Sequence, residues 1–202
     1  MSDLGVNNSR PLAILICTEG KKTEPQYFDF VISRMRISEK IEIKVIGDLN
    51  QHIRLIKESA IARAAVAEKY EISEEDIETW AVCDKDDMQC NLKELKNYAK
   101  MNNIRLAFSD PNFEIFLLQH FKKSATNGTN KEIQMLISKE LASRKLGKYD
   151  KTNLSNILHV IDENPACLKF AIANCNLMSD EESTSYVTVH NLLARLLEWA
   201  VK

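Results

Sequence analysis

The stretch that decides the fold is Trp80-Ala81-Val82-Cys83-Asp84-Lys85-Asp86-Asp87. Its first four residues are apolar strand formers, and three acids follow within four positions. A strand that ends here displays Asp84 and Asp86 at its carboxyl end, the usual ligand edge of an open α/β sheet. Two carboxylates about 5 Å apart repel by roughly 3 kcal/mol at an effective dielectric constant of about 20. A divalent cation offsets this repulsion, because Mg²⁺ takes oxygen ligands from such pairs. An acid-rich turn is the alternative interpretation.

The residues around this stretch alternate between strand and helix patterns. Amphipathic patterns with apolar residues three and four positions apart separate short apolar runs. Strands are predicted at residues 12–17, 41–45, 80–83 and 104–108. This alternation predicts an α/β fold with a doubly wound parallel sheet of about four strands and helices on both faces.

The pattern changes after residue 122, where helices are expected and no further strand is predicted. The expected helices cover residues 130–145, 153–162, 165–178 and 187–201. The predicted organisation is a disordered arm at 1–10, an α/β domain at 11–122, and a helical C-terminal region at 123–202 packed on it.

Composition excludes several classes of protein. The 202 residues are 45% hydrophobic and 28% charged, as in a folded domain rather than a disordered chain. No apolar run approaches the length of a transmembrane helix, and the polar start lacks a signal-peptide pattern, so we expect a cytoplasmic protein with no membrane partner. The five cysteines are scattered without a Cys-x-x-Cys pair, which argues against a zinc ribbon and a disulfide framework.

Charge is distributed unevenly along the chain. The net charge is −2, but residues 122–151 carry eight basic and three acidic side chains. Phosphate backbones respond to local potential rather than to the average charge, so this segment is compatible with a nucleic-acid partner. A solvated basic face is the alternative.

A third acid strengthens the metal prediction. Glu19 follows the first predicted strand, as Asp84 and Asp86 follow the third. Because the first strand of a doubly wound sheet is central, these carboxyl ends are expected to be neighbours at a topological switch point. Three convergent acids predict a Mg²⁺ site in which Mn²⁺ can substitute.

This arrangement resembles the Toprim fold of topoisomerases, bacterial primases and OLD-type nucleases, in which a strand-end Glu and an Asp-x-Asp pair bind Mg²⁺. More narrowly, the chain resembles the RloB-like family. The resemblance covers nearly the whole chain and lies in residues 16–28, 84–87 and 109–121, the Tyr149-x-Lys151 spacing and residues 187–190.

The resemblance implies a setting in prokaryotic anti-phage defence or abortive infection, an ATPase partner and cleavage of nucleic acid. We therefore expect a Mg²⁺-dependent nuclease acting on RNA, tRNA or DNA.

Topoisomerase and primase are disfavoured, because the chain lacks room for a strand-passage gate and lacks paired cysteines. A non-catalytic metal-binding sensor, or a partner-binding subunit of an ATPase-containing defence complex, is the alternative. A receiver domain is disfavoured, because its acidic pair would follow the first strand.

Individual roles follow for the acids. Asp84 and Asp86 are expected to hold the metal, and Glu19 to be a further ligand or the general base. Asp87 is expected to complete a second metal site or to cap the next helix. Glu24 is a candidate ligand, although the first turn of a helix favours an acid regardless of function.

The remaining candidates lie later in the motifs. Glu114 and His120 are predicted catalytic residues. The alternatives are an acid favoured by the first turn of a helix for Glu114 and a hydrogen-bonded core histidine for His120. Substrate contacts are expected from Lys21, Lys22, Tyr149 and Lys151. The alternatives are ordinary turn lysines for the first two and a loop that packs on the sheet for the last two.

Overall fold

The structure is a computed structural model that describes residues 12–36, 41–45, 52–85, 88, 90–124, 128–178 and 186–200. The predicted arm at 1–10, Asp86 and Asp87 lie outside the described residues. The strands are β1 (Ala13–Thr18), β2 (Ile41–Val45), β3 (Ile77–Asp84), β4 (Ile104–Asp110) and β5 (Tyr186–Val187). The helices are α1 (Thr23–Arg34), α2 (His52–Tyr70), α3 (Leu92–Met101), α4 (Phe113–Leu118), α5 (Asn130–Ser143), α6 (Ser155–Glu163), α7 (Ala166–Asn176) and α8 (Val189–Trp199).

The strands form one mixed sheet in the order β2-β1-β3-β4-β5. The first four strands are parallel, which confirms the predicted βα alternation. β5 was not anticipated: it runs antiparallel to β4 through the pairs Ser109–Val187 and Asp110–Tyr186. A two-residue strand has no hydrophobic period, so sequence pattern could not detect it.

The strand order creates a switch point between β1 and β3. The chain passes from β1 to β2 on one side and then crosses to β3 on the other. Thr18 pairs with Val82 at the end of this parallel ladder. Crevices at such switch points, outside the carboxyl ends of the strands, are where open α/β sheets bind ligands.

Two hydrophobic clusters cover the two faces of the sheet. One contains Ile14 and Ile16 of β1, together with residues of α1 and α4–α8. The other contains Leu15 and Cys17, together with residues of α2 and α3. Successive residues of β1 therefore face opposite sides, and both sides are buried, as its unbroken apolar sequence requires.

The C-terminal helices share the first of these clusters. Ile133 of α5, Ile157 of α6, Leu168 of α7 and Leu192 of α8 are buried in the same cluster as Ile14. The expected helical region beyond residue 122 thus packs on the sheet. Within the described residues, no helix is long and apolar enough to cross a bilayer.

Candidate active site

Glu19 and Asp84 lie at neighbouring strand ends, as the sequence predicts. The backbone N–H of Glu19 donates a hydrogen bond to the carbonyl oxygen of Val82 at 3.1 Å, which holds the end of β1 against β3. Both acids line a cavity of about 420 Å³ at this edge of the sheet. Among the described residues, the cavity is also lined by Gly20, Lys21, Lys22, Thr23, Glu24, Cys83, Lys151 and Thr152.

Glu24 brings a third carboxylate to the cavity. It lies in the first turn of α1, beside the exposed lysines Lys21 and Lys22. Burial raises the pKa of Glu24, the nearby Glu114 raises it further, and Lys151 opposes this effect. A half-buried carboxylate close to a second one is a favourable position for a cation.

Close packing explains the residue at position 20. A Cβ atom added to Gly20 would overlap the carboxylate of Glu24. Glycine at this position therefore allows the Glu24 side chain to lie across the turn after β1, inside the cavity.

Glu114 is buried and hydrogen-bonded rather than solvated. It is 1% exposed, and its Oε1 accepts hydrogen bonds from Gln134 Nε2 and Tyr149 Oη, each at 3.1 Å. The Lys151 Nζ lies 4.0 Å from the same oxygen. Burial raises the pKa of Tyr149, and the Glu114 charge adds to the effect, so the phenol stays protonated and remains a donor. The structure thus brings Glu114 together with Tyr149 and Lys151, which belong to a different sequence motif.

The loop that carries Lys151 is tied to the first turns of α1. Thr23 Oγ1 donates to the backbone oxygen of Lys151 at 2.9 Å. Gln26 donates from Nε2 to the Thr152 oxygen and accepts at Oε1 from the Leu154 N–H, both at 3.1 Å. These hydrogen bonds make the loop a fixed wall of the cavity.

His120 lies apart from this group of residues. It is 4% exposed in the aromatic core, where Nε2 lies 2.9 Å from Tyr27 Oη and Nδ1 lies 3.2 Å from the Leu117 oxygen. Its ring packs edge-on against Tyr27 and Phe116. Burial lowers its pKa to about 4, so it is neutral at pH 7. His120 therefore sits in the core, as in the alternative interpretation of its sequence position, and does not line the cavity.

His52 is a residue of this site that the sequence patterns did not predict. It is the first residue of α2, and its Nε2 lies 2.6 Å from the backbone oxygen of Asp84 and 3.7 Å from Glu19 Oε2. The sequence around it forms an ordinary amphipathic helix, so this position becomes visible only once α2 docks on the sheet.

The donor atoms at the cavity suit a hard cation. Glu19, Glu24 and Asp84 offer carboxylate oxygens, which Mg²⁺ prefers. Burial raises the pKa of Cys83 well above its ordinary value, and Glu19 and Asp84 reinforce this, so its sulfur remains a protonated thiol and a poor ligand. Within the part of the chain that the structure describes, no three His, Cys, Asp or Glu side chains form a ready metal-binding group. Asp86 and Asp87, the other two predicted ligands, lie outside that part.

Comparison with protein families places this chain. Residues 14–196 match the sequence model of the RloB-like protein family. The chain belongs to the RloB-like family. This confirms the resemblance seen in its sequence motifs. Comparisons with curated proteins and with solved structures find no match.

Proposed function

We propose that this RloB-like protein is a Mg²⁺-dependent nuclease that hydrolyses phosphodiester bonds in RNA, tRNA or DNA. Its sheet would be of the Toprim type, and its setting prokaryotic anti-phage defence or abortive infection. The observation that carries the proposal is the convergence of Glu19 and Asp84, from adjacent parallel strands, on a cavity that three lysines also line.

The acids supply the metal-binding side of this cavity. Asp84 and Asp86 would hold the ion, with Glu19 and Glu24 as further oxygen donors and Asp87 within reach in sequence. When bound, Mg²⁺ stabilises negative charge on a phosphate and lowers the pKa of a coordinated water. The surrounding protein contributes a fixed sheet edge, so the carboxylates need little rearrangement during reaction.

The lysines supply the phosphate-binding side. Lys21 and Lys22 lie in the turn after β1, and Lys151 lies on the loop that is hydrogen-bonded to the start of α1. Positive side chains beside a carboxylate cluster suit a polyanionic substrate, because they offset its charge without occupying the metal position. In this proposal Glu114 holds Tyr149 and Lys151 in place and leaves the reacting atoms to the other residues.

Cleavage assays on the purified full chain test the proposal. Labelled tRNA and plasmid DNA are incubated with Mg²⁺, with Mn²⁺ or with a chelator, in the presence and absence of the ATPase partner that this proposal expects. We expect metal-dependent cleavage that disappears in Asp84→Asn, Asp86→Ala and Glu19→Gln. Asp162→Asn is the matched control, because Asp162 pairs with Arg34 on the exposed surface.

Two outcomes would contradict this function. Cleavage that survives Asp84→Asn and Asp86→Ala would show that these acids do not carry the chemistry. Metal binding without cleavage of either substrate, even with the ATPase present, would favour the sensor or partner-binding subunit instead.

A further inference from the structure

His52 occupies the space between the ends of β1 and β3. Its side chain is 0% exposed, and its Nε2 lies 2.6 Å from the backbone oxygen of Asp84. Because a carbonyl oxygen can only accept, Nε2 carries the hydrogen in this contact. The same nitrogen lies 3.7 Å from Glu19 Oε2, so its positive N–H end also faces the second strand-end acid.

The hydrogen bond from His52 completes a clamp on one peptide group. The peptide between Asp84 and Lys85 has its C=O held by His52, while its N–H donates to the Ser109 oxygen at 2.9 Å. Both polar atoms of this peptide are thus satisfied, from two different elements, where β3 ends. A peptide plane held at both ends fixes the direction in which the chain leaves the strand, and with it the base of the Asp84 side chain.

The ring itself is held in place by the packing of α2. Leu55 and Ile56, one turn further on, are buried in the hydrophobic cluster on this face of the sheet. Ser59 Oγ donates to the Leu55 oxygen at 2.7 Å and is also fully buried. The start of α2 is therefore a rigid support from which His52 reaches the strand ends.

Packing alone does not explain an imidazole at this position. His52 Nδ1 is buried and makes no hydrogen bond within the described part of the chain. A leucine fills similar space without burying an unpaired nitrogen, which is unfavourable. The polar contact made by Nε2 is the feature that a leucine would lose.

We propose that His52 is a positioning residue that sets the spacing between the Glu19 and Asp84 carboxylates. It acts through the Asp84 backbone and does not touch substrate. This inference rests on the proposed function, because the spacing matters only if both acids serve one cation. Groups behind metal ligands commonly change affinity when they are replaced, since they orient the ligands.

Mn²⁺ binding to the full chain, measured by electron paramagnetic resonance without nucleic acid, tests this role. His52→Leu removes the donor. His52→Asn keeps a polar group but is too short to place its amide nitrogen at the Nε2 position, whereas His52→Gln reaches that position. We expect the Mn²⁺ dissociation constant to rise about 10- to 100-fold in the Leu and Asn variants and by less than about threefold in the Gln variant. Urea denaturation verifies that each variant is folded.

Asp84→Asn separates failure of this inference from failure of the proposed function. If Asp84→Asn loses Mn²⁺ binding but His52→Leu and His52→Asn bind as tightly as the wild type, the positioning role alone is overturned. If wild type and Asp84→Asn bind Mn²⁺ equally poorly, the metal site itself is wrong and both proposals fall. Should His52→Leu not fold, the comparison of Gln with Asn decides: equal affinities overturn the role, and rescue by Gln supports it.

Discussion

The carboxylate of Glu24 lies against the α-carbon of Gly20, in the space that any larger side chain would need. The backbone of Gly20 lies outside the left-handed region, so an alanine can adopt its conformation. Alanine at this position therefore tests the placement of Glu24 without straining the chain. The Gly20→Ala substitution therefore tests whether the position of the Glu24 carboxylate matters for metal binding.

Gly20→Ala is expected to push the Glu24 carboxylate out of the cavity. The end of a glutamate side chain moves easily, so stability should change by less than about 1 kcal/mol. Mn²⁺ affinity should fall roughly tenfold, which corresponds to about 1.4 kcal/mol. Titration calorimetry of Gly20→Ala, Glu24→Ala and the double variant measures this. Because both changes remove the same carboxylate, the double variant should bind no worse than Glu24→Ala; additive losses would show that Gly20 acts through something else.

The buried His120 makes stability depend on pH. Its pKa falls from 6.5 to about 4 in the folded protein, so the unfolded chain binds more protons between these values. The contribution of His120 to the free energy of unfolding is therefore fully present above pH 6.5. It falls by about 3 kcal/mol as the pH decreases to 4. His120→Gln lacks this titration, so its free-energy difference from the wild type should shrink by that amount between pH 7 and pH 4. Urea denaturation at both values measures it, and a constant difference would contradict the burial of a neutral imidazole.

Tyr149→Phe removes one of the two hydrogen bonds to the Glu114 carboxylate. Losing a donor to a buried charged acceptor should lower the free energy of unfolding by about 1–3 kcal/mol. Chemical denaturation measures this loss. Tyr98→Phe is the control, because the Tyr98 side chain packs in the opposite hydrophobic cluster, away from Glu114. Equal losses in the two variants would mean that the Tyr149 hydroxyl contributes nothing specific.

Lys151→Ala should weaken the binding of nucleic acid more than it slows cleavage. Lys151 lines the cavity, and its backbone oxygen stays bound to Thr23 whatever the side chain. Removing one phosphate contact should reduce the slope of log affinity against log salt by about 1. Binding is measured on Asp84→Asn protein so that substrate stays intact.

The control for this measurement is Lys148→Ala, since Lys148 is exposed and does not line the cavity. If the two lysine variants have the same salt dependence, the basic segment attracts nucleic acid diffusely and Lys151 has no special contact.

The parallel sheet could be predicted because each of its four long strands has a recognisable hydrophobic pattern in its own sequence. A buried strand such as β1 is an unbroken apolar run, and the acid that follows it marks the ligand edge. The convergence of Glu19 and Asp84 follows from strand order alone. Asp86 and Asp87 lie outside the described residues, so their part in a metal site stays a prediction.

Other features depend on contacts between distant parts of the chain. His52 reaches Asp84 across 32 positions, and Tyr149 reaches Glu114 across 35. No local period reports such pairs, and β5 is too short to have one. For His120, the sequence pattern was ambiguous, because its place on an apolar helical face fitted both a catalytic and a core residue. The buried hydrogen bond to Tyr27 favours the core residue.

The hydrogen bonds from Thr23 and Gln26 to the loop at 151–154 have a consequence for synthesis. All four parallel strands are complete by Asp110, but the cavity wall comes from residues about 40 positions later. A chain that is still bound to the ribosome can therefore form the sheet edge that carries Glu19 and Asp84 before it contains the loop that would bind a polyanion. If the protein cleaves nucleic acid, this order of assembly delays its activity until the loop at 151–154 has emerged from the ribosome. The RNA of the ribosome that synthesises it would then be protected from cleavage.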